Sequence, residues 1–506
     1  MTTPDPLAQA REILDVAGVQ EPEPEHEAAD PWSESALSET VSAEILDGRY
    51  LYTAEGGWMV WTGVVWERTP TETVTEAVRR HLRDMAVEAA RSGSPYDMRQ
   101  AARRQSAATV RAVTDLARGQ VLARLQDFDQ DLKILVTPAG VVHLPTGRMA
   151  PHDPSRLVTK CTGVSYVPGA THPDWDAALE AVPADIREWV QVRMGQAITG
   201  HTPDDDVVPI LQGGGSNGKS TILGAIARAL GDYATTVPDS LLVGAESHPT
   251  DAMTLRGTRL AVMEELPEGR YLNTQTLKKI VGTPEITGRY MRCDFVTFSA
   301  THSLMVSTNF RPEVAEVDGG TWRRLALVAF PYRYRTPGDP LTGPMDRHGD
   351  PGLRDRLQND SAAQEAVLAW LVEGAQRWYA AGRQMPPKPQ RVLDDTAAWR
   401  GEQDAVLGYA SERLVPDPAG VIWTTDLRED LSDWLAERGQ RPWSDRTISQ
   451  RLGQHQWATE HAVERTKARH RRDGVSRPTG YDQTPLPTGP YWAWTGIRFR
   501  TSTDPD

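Results

Sequence analysis

The sequence is short of cysteine. Its 506 residues include two, Cys161 and Cys293, which lie far apart in the chain. Two distant thiols argue against a disulfide framework and against a zinc site built from cysteine, and they favour a reducing intracellular setting. The twelve histidines show neither H-x-x-x-H spacing nor a grouping with cysteine. We therefore predict no structural zinc and no metal site built from histidine and cysteine.

Long hydrophobic runs are also missing. No stretch of about eighteen apolar residues occurs, so the sequence predicts no membrane-spanning helix. The first residues, MTTPDPLAQAREILD, lack the basic flank and the apolar segment of a secretory signal. We therefore expect a cytoplasmic protein that does not engage a membrane.

Basic residues are fewer than acidic ones, and the acidic excess is concentrated at the N-terminal end of the chain. The net charge is −14, and the first fifty residues carry −10 of it because they hold twelve Asp and Glu against two Arg. The rest of the chain is nearly balanced and has basic stretches towards its C-terminal end. The acidic total therefore does not exclude a nucleic-acid partner. The length suits two to four domains, each with its own core.

The N-terminal part of the chain divides into two predicted segments. Residues 1–48 are acidic, contain proline and show little apolar periodicity, which predicts a disordered tail. Residues 49–199 predict an α+β domain, with a hairpin near WMVWTGVVWERTP, two helices, and short strands separated by Pro-Ala-Gly and Pro-Thr-Gly turns.

Three more segments follow. Residues 200–335 alternate strands and helices, which predicts an α/β core, and residues 336–390 predict a helical extension that ends in the Pro-rich stretch MPPKPQ. In residues 391–506 the order of helix, helix and hairpin resembles a winged helix. That interpretation uses Leu427, Leu431 and Trp434 in one helix, Ile448 and Leu452 in the next with Ser444 as its N-cap, and the strand-like YWAWTGIRFR.

The segment GGGSNGKS matches the pattern G-x-x-x-x-G-K-[ST] of a phosphate-binding loop. The apolar strand VVPIL precedes it and an amphipathic helix follows, which is the context that the motif requires. Lys219 would reach the β- and γ-phosphates of ATP, and the Ser220 hydroxyl would ligate Mg²⁺. The predicted phosphate-binding residues are Gly213, Gly214, Gly215, Ser216, Asn217, Gly218, Lys219, Ser220 and Thr221.

Polar side chains also follow two later apolar strands. Glu264 and Glu265 end TRLAVMEEL, where one carboxylate could hold Mg²⁺ and its neighbour could polarise the attacking water. Asn309 ends LMVSTN, where an amide could orient that water. Alone, such acids are usually the start of a loop, and such an asparagine usually caps its own turn. Their order after a phosphate-binding loop favours the catalytic interpretation.

A pair of arginines, Arg323 and Arg324, precedes the strand LALVAF. Adjacent arginines are commonly just solvated. In a ring-shaped ATPase, one of them could reach the γ-phosphate held by the neighbouring subunit and stabilise charge in the transition state. A monomer could not use this device, so the prediction includes an oligomer. The sequence does not decide which of the two acts.

Two basic stretches are candidates for contact with DNA. In the first, cations alternate with the aromatic residues Tyr290, Phe295 and Phe298, a composition that suits phosphate contact beside aromatic packing. The aromatic residues could equally belong to a core, with the cations merely solvated. The second, RTKARHRRDGVSR, could be a wing that contacts DNA or merely a solvated loop. The candidate residues are Lys278, Lys279, Arg289 and Arg292 in the first stretch and Lys467, Arg469, Arg471 and Arg472 in the second.

The series GGGSNGKS, AVMEEL, LKKIVGTPEITGRYMRCDFVTF, LMVSTNFRP and DGGTWRRLALVAFP resembles a superfamily 3 helicase. The similarity is closest to the helicase half of phage and plasmid primase-helicases, which the poxvirus primase-helicase shares. The resemblance implies an AAA+-like P-loop core in a hexameric ring that moves 3′ to 5′ on single-stranded DNA, with a hairpin of each subunit in the pore. It also implies Walker B roles for Glu264 and Glu265, a sensor role for Asn309, and a bacterial host cytoplasm if a phage encodes the protein.

One feature departs from that family. Relatives often carry a primase domain before this region, and here an acidic stretch without a paired-Asp motif stands in its place. Priming by this chain is therefore doubtful, and a separate primase or polymerase could be a partner. Two other functions remain open: an AAA+ replication initiator or helicase loader, and a DNA-binding module with a degenerate nucleotide site.

Overall fold

The computed structural model describes residues 30–506 apart from 244–248, 267, 292–293, 315–318, 439, 441, 469–475, 477–490, 503 and 505–506. The chain forms two compact units. The first contains the described residues up to 131 together with 152–160, and the second contains 132–151 and the described residues from 161 onwards. Among the described residues, no helix has the length and apolar character needed to cross a bilayer.

The first unit packs helices around a small antiparallel sheet of strand order β1-β2-β3. Its core joins Leu37 and Val41 of the first helix to Val74 and Val78 of the second. The elements are α1 (Glu34–Val41), which continues as a π-helical turn (Ser42–Leu46), β1 (Tyr50–Thr53), β2 (Gly57–Trp61), β3 (Trp66–Arg68), α2 (Thr71–Ser92), α3 (Pro95–Arg103) and α4 (Ala107–Gln120).

Helix α1 corrects one prediction. Residues 30–48 were predicted as part of a disordered tail, but Ser33 caps a helix there by accepting a hydrogen bond from Ala36 N. Leu37 and Val41, four residues apart on one face, are fully buried, and Trp32 Nε1 donates to Asp97 Oδ1 at 2.9 Å. The many acidic residues make the segment polar on average, so its composition does not indicate the apolar face of the helix. Residues 1–29 lie outside the described part of the chain.

The second unit is built around a five-stranded parallel sheet. The elements that lead to the end of that sheet are β4 (Ile134–Thr137), β5 (Gly140–His143), β6 (Arg148–Ala150), α5 (Pro173–Leu179), α6 (Arg187–Ala197), β7 (Val208–Gln212), α7 (Lys219–Leu230), β8 (Ala234–Val237), β9 (Leu260–Glu264), α8 (Thr274–Gly282), β10 (Glu285–Gly288), β11 (Val296–Ser299), β12 (Ser303–Thr308), α9 (Gly319–Trp322) and β13 (Leu325–Ala329). The remaining elements are β14 (Arg333–Arg335), β15 (Asp346–His348), α10 (Leu353–Asn359), α11 (Ser361–Ala380), α12 (Gln390–Gln403), α13 (Ala405–Arg413), β16 (Leu414–Trp423), α14 (Thr424–Glu437), α15 (Asp445–Gly453), α16 (Gln456–Glu460), β17 (Glu464–Ala468) and β18 (Tyr491–Phe499).

The strand order of the central sheet is β13-β7-β12-β9-β8, and every neighbouring pair is parallel. The strands β7, β9, β12 and β13 are almost entirely buried, as expected for a parallel sheet covered on both faces, whereas the edge strand β8 buries only Val237 fully. The predicted α/β core is confirmed. Since all five strands run the same way, the loops that follow β7, β9 and β12 meet at one edge of the sheet.

The segment 132–199 is divided differently from its prediction. Residues 132–151 and 161–199 belong to the second unit and share the core of the sheet instead of forming one domain with residues 49–131. Arg259 Nη1 donates to the carbonyls of Ile134 and Ile198, both at 2.8 Å, and Val136 N donates to the Tyr233 hydroxyl at 3.2 Å. Turns between short strands are visible in a sequence, but the partner that covers their apolar face is not.

The C-terminal residues have a core of their own. The antiparallel sheet β16-β18-β17 packs with helices α13 to α16. The predicted helices and strand are confirmed, and Ser444 accepts a hydrogen bond from Thr447 N at 3.2 Å as the predicted cap. Helix α12, which was predicted to start this region, instead packs against β13, where Leu327 N donates to Thr396 Oγ1 at 2.9 Å.

Candidate nucleotide site and nucleic-acid interface

The glycine-rich loop 213–218 joins β7 to α7, and the helix begins at Lys219. Gly215 and Gly218 have φ values of +89° and +85°, which favour glycine strongly over other residues. At Gly214 and Gly215 an added Cβ would meet nothing within 4 Å, so the backbone there borders open space. A loop of this kind at a helix N-terminus directs backbone N–H groups towards an anion.

The ammonium group of Lys219 lies inside the curl of this loop. Its side chain is 3% exposed, and Nζ donates to Gly213 O at 2.6 Å and to Asn217 Oδ1 at 3.1 Å. A third contact joins Nζ to Asn309 Oδ1 at 3.4 Å. Burial lowers the pKa of Lys219 from 10.5 to about 8. The structure thus brings together two residues that lie ninety positions apart in the chain.

The two predicted acids lie at the same edge of the sheet. Strand β9 ends at Glu264, which pairs in register with Ser307 of β12, and both Glu264 and Glu265 are exposed. Glu265 has a φ of +56° and donates its backbone N–H to Ser307 O at 2.9 Å. A left-handed backbone at a residue other than glycine is strained, and such strain is concentrated at functional sites. Ser220, the predicted magnesium ligand, is exposed in the first turn of α7.

The two arginines lie at the other edge of the sheet. They precede β13, whose first residue Leu325 pairs with Val208 and whose last residue pairs with Gln212, next to the phosphate-binding loop. The four residue-to-residue steps from Leu325 to Ala329 separate the two ends of the strand by roughly 13 Å. Arg324 is half-buried and Arg323 is exposed. The structure therefore does not place either arginine beside the loop of its own chain.

The first predicted DNA-contacting stretch forms the antiparallel hairpin β10–β11 and the helix before it. Arg289 lies over the Phe295 ring, 5.0 Å from its centre, and both residues are exposed, as are Tyr290 and Met291. Phe298 is half-buried and packs against the core of the sheet. An exposed cation on an exposed ring suits stacking against a base.

The remaining predicted DNA contacts are scattered. On α8, Lys279 is exposed and Lys278 is half-buried in the wall of a cavity of about 950 Å³ between α12 and the C-terminal helices. Lys467 is exposed on β17. The other four predicted contacts lie outside the described residues: Arg292, Arg469, Arg471 and Arg472.

Sequence reasoning missed two residues that shape the site. Tyr334 donates its backbone N–H to Ser216 O at 2.7 Å and so holds the phosphate-binding loop from β14. Lys388, in the Pro-rich stretch, donates to the carbonyls of Arg323 and Leu325. A lone lysine among prolines is only a weak indication in the sequence of a functional contact. The contact of Tyr334 is made by its backbone, so no residue type in the sequence indicates it.

Two family models match parts of the chain. Residues 40–182 match a model described as D5 N terminal like, and residues 211–324 match one described as a family of unknown function, DUF5906. The chain is 26% identical over 311 residues to "Putative primase C962R" of African swine fever virus (strain Badajoz 1971 Vero-adapted). The matched region covers 58% of this chain and 32% of that protein.

Two further viral proteins are similar. The chain is 27% identical over 244 residues to "Putative helicase 022R" of Frog virus 3 (isolate Goorha), covering 46% of this chain and 24% of that protein. It is 23% identical over 329 residues to "Putative helicase L207/L206" of Acanthamoeba polyphaga mimivirus, covering 61% of this chain and 34% of that protein. The chain thus spans about a third or less of the length of these relatives.

A solved structure, the apo form of the NrS-1 C terminal region, matches at 10% identity over 59% of this chain and 65% of that one. Its TM-score of 0.35 is too low to support an argument. The D5 N terminal like match and the viral proteins support a relationship to the primase and helicase proteins of large DNA viruses.

Proposed function

We propose that this protein is an ATP-dependent DNA helicase that acts in replication as a hexameric ring and moves 3′ to 5′ on one strand. The observation that carries the proposal is the contact of the buried Lys219 with both the glycine loop and Asn309, at the edge where β9 ends in two carboxylates. This set of side chains suits ATP hydrolysis. The viral relatives named as helicases and primases favour replication as its setting.

Each residue would have a defined role with ATP bound. The amides of residues 213–218 and the ammonium of Lys219 would bind the phosphate oxygens, so Lys219 would exchange Gly213 O for a phosphate oxygen. Asn309, already beside Lys219, would orient the attacking water, and Glu265 would accept its proton.

A magnesium ion fits the oxygen ligands at this edge. The exposed Ser220 hydroxyl and the exposed Glu264 carboxylate are the hard oxygen groups that Mg²⁺ prefers, and the ion usually keeps several waters. When bound, it would neutralise charge that develops on the phosphates.

The position of the arginine pair is the reason that the proposal includes an oligomer. Arg323 and Arg324 lie at the opposite edge of the sheet from the loop of their own chain. A second copy that packs this edge against the loop would bring a guanidinium to its neighbour's γ-phosphate. Such a contact can contribute a factor of about 10³ or more to turnover.

Single-stranded DNA would contact the hairpin β10–β11. Its tip carries Arg289 stacked on Phe295, and Lys279 is exposed nearby in sequence. Phosphate contact and base stacking together bind a strand without reading its sequence. The C-terminal helices and sheet, with Lys467 exposed on β17, would act as a winged-helix-like domain that contacts duplex DNA.

The experiment is strand separation on forked DNA with ATP and Mg²⁺. The protein should separate strands on substrates with a 3′ tail and not on those with a 5′ tail alone. Lys219→Ala should separate strands on neither substrate. Phosphate release without strand separation would replace this proposal with the alternative of an initiator or loader. Binding of DNA without phosphate release would indicate a binding module.

A further inference from the structure

The side chain of Arg324 is already engaged within its own chain. Its Nη2 lies 3.0 Å from Asp206 Oδ2, and its Nη1 donates to Gly320 O at 2.8 Å. The side chain of Arg324 is 13% exposed. A half-buried arginine with a carboxylate and a carbonyl as partners would lose both contacts if it extended towards another subunit.

Arg323 differs in each of these respects. Its side chain is exposed, and the described residues provide it with no ion pair or side-chain hydrogen bond. Its backbone, by contrast, is fixed: Lys388 Nζ donates to Arg323 O at 3.0 Å and to Leu325 O at 3.2 Å. One ammonium group therefore holds the main chain on both sides of Arg324.

The acid that binds Arg324 is itself anchored. Asp206 adopts a left-handed backbone with a φ of +54°, and the preceding Asp205 accepts a hydrogen bond from the buried Arg193 at 2.9 Å. These residues lead directly into β7, the strand that carries the phosphate-binding loop. Through Arg324 and Asp206, the turn that carries Arg323 and Arg324 is thus linked to the start of β7. The end of the same strand leads into the phosphate-binding loop.

Lys388 also precedes helix α12, which packs along the edge strand β13. Helix α12 follows it, with Thr396 bound to Leu327 in the middle of β13. Further along, Trp399 Nε1 donates to Pro312 O at 3.1 Å, three residues after Asn309. Lys388 and the helix that follows it therefore contact the main chain around Arg324 at one end and the loop after Asn309 at the other.

We propose that Arg323 is the residue that acts on the neighbouring subunit's ATP, and that Asp206, Arg324 and Lys388 are positioning residues that fix the turn presenting it. This inference rests on the proposed function, since it assumes that hydrolysis occurs across a subunit boundary. It assigns no chemistry to Arg324, whose guanidinium stays on Asp206 during turnover.

The discriminating substitution is Asp206→Asn. It removes the charge that holds Arg324, and asparagine tolerates the left-handed backbone at this position. If Asp206 positions the turn, kcat for DNA-stimulated ATP hydrolysis should fall roughly tenfold to a hundredfold, while the KM for ATP stays within about twofold, because misplacement affects the transition state more than nucleotide binding. If Arg324 were the acting group, its release from Asp206 would leave kcat unchanged or raise it.

Lys388 provides a second, independent variant. Lys388→Met should lower kcat with little change in KM, and Lys388→Arg should restore most of the activity because it can still donate to the two carbonyls. Asp204→Asn is the matched control: Asp204 is exposed two residues from Asp206, and its variant should behave as wild type. Nucleotide affinity and thermal unfolding confirm that each variant is folded.

Replacement of each arginine completes the test. Arg323→Ala should lose turnover a thousandfold or more in line with loss of a trans-acting arginine, and mixing it with Lys219→Met subunits should restore activity above the sum of the two preparations. Wild-type kinetics for both Asp206→Asn and Lys388→Met, or substantial turnover by Arg323→Ala, would overturn the inference while leaving the helicase proposal intact. A wild-type protein that releases no phosphate would instead defeat the proposed function.

Discussion

The stability and the nucleotide binding of the wild-type protein should respond to pH through the buried amine of Lys219, and Lys219→Met should lack this response. Burial lowers the pKa of Lys219 from 10.5 to about 8 in the folded protein. Between these values the unfolded chain binds more protons than the folded one, so the free energy of unfolding rises with pH in this window. The cost of burying the Lys219 amine should therefore drop from about 3 kcal/mol near pH 7.5 to about 1.5 kcal/mol near pH 9.5, where the folded protein holds the amine neutral.

Denaturant unfolding of wild type and Lys219→Met, each without nucleotide, measures this effect. Other groups titrate equally in both proteins and cancel in the difference. Wild type should gain about 2 kcal/mol on the variant between the two pH values. A difference that does not change with pH would refute the assignment of a buried, charged lysine in the loop.

The same lysine should take up a proton when ATP binds. Phosphate oxygens favour the ammonium form, so Lys219 should be fully charged in the complex. Near pH 8.5 most of it is neutral in the free protein, and binding should therefore take up about 0.7 proton. Calorimetric titration in two buffers with different ionisation enthalpies gives this number. No uptake, or equal uptake by Lys219→Met, would contradict the proposed contact.

Three other substitutions have expected results. Asn309→Ala should lower the turnover of ATP about a hundredfold with little change in affinity, because it removes one oriented polar group, and steady-state phosphate release measures it. Thr396→Val should cost about 1 kcal/mol of unfolding free energy, because Leu327 N loses its acceptor, and denaturant unfolding measures it. Burial raises the pKa of Asp404, but hydrogen bonds from His455 and two backbone amides outweigh it, so the net pKa is lowered. Asp404→Asn should therefore be less stable than wild type near pH 7, and the gap should close as wild type loses stability below about pH 4.

Each of these has a matched comparison. Asn309→Asp should remain slow, since it replaces an amide with a charge beside Lys219; rapid turnover by either Asn309 variant would exclude its role. Thr396→Ser keeps the hydroxyl and should retain most of the stability, so equal losses by the serine and valine variants would point to packing alone. A constant gap between Asp404→Asn and wild type at all pH values would show that the carboxylate is not ionised in the fold.

The phosphate-binding loop was predictable because its signal is local. The glycines, Lys219 and the flanking strand and helix are contiguous in the chain. The meeting of Lys219 with Asn309 was predictable for a different reason: both follow strands of one parallel sheet, and such strands end at the same edge. The arginine pair precedes a strand of the same parallel sheet instead of following one. Its place at the opposite end of the strands from the phosphate-binding loop was therefore predictable as well.

Other features depended on partners that a sequence does not reveal. Helix α1 was hidden because acidic residues surround the stripe of Leu37 and Val41. The assignment of residues 49–199 to one domain was wrong for residues 132–151 and 161–199, because the central sheet and α11 cover their apolar faces. Lys388 was missed because it lies 65 residues from Arg323, with nothing in its local pattern to connect them.

The central claim is that ATP held by Lys219 is hydrolysed at a boundary between two copies of the chain. Phosphate release by the full-length protein with single-stranded DNA, measured across a wide range of protein concentration, tests it most directly. The rate per chain should rise steeply with concentration as subunits assemble, and Lys219→Met should release nothing. A rate per chain that is constant down to the monomer, or no release at any concentration, would contradict the account.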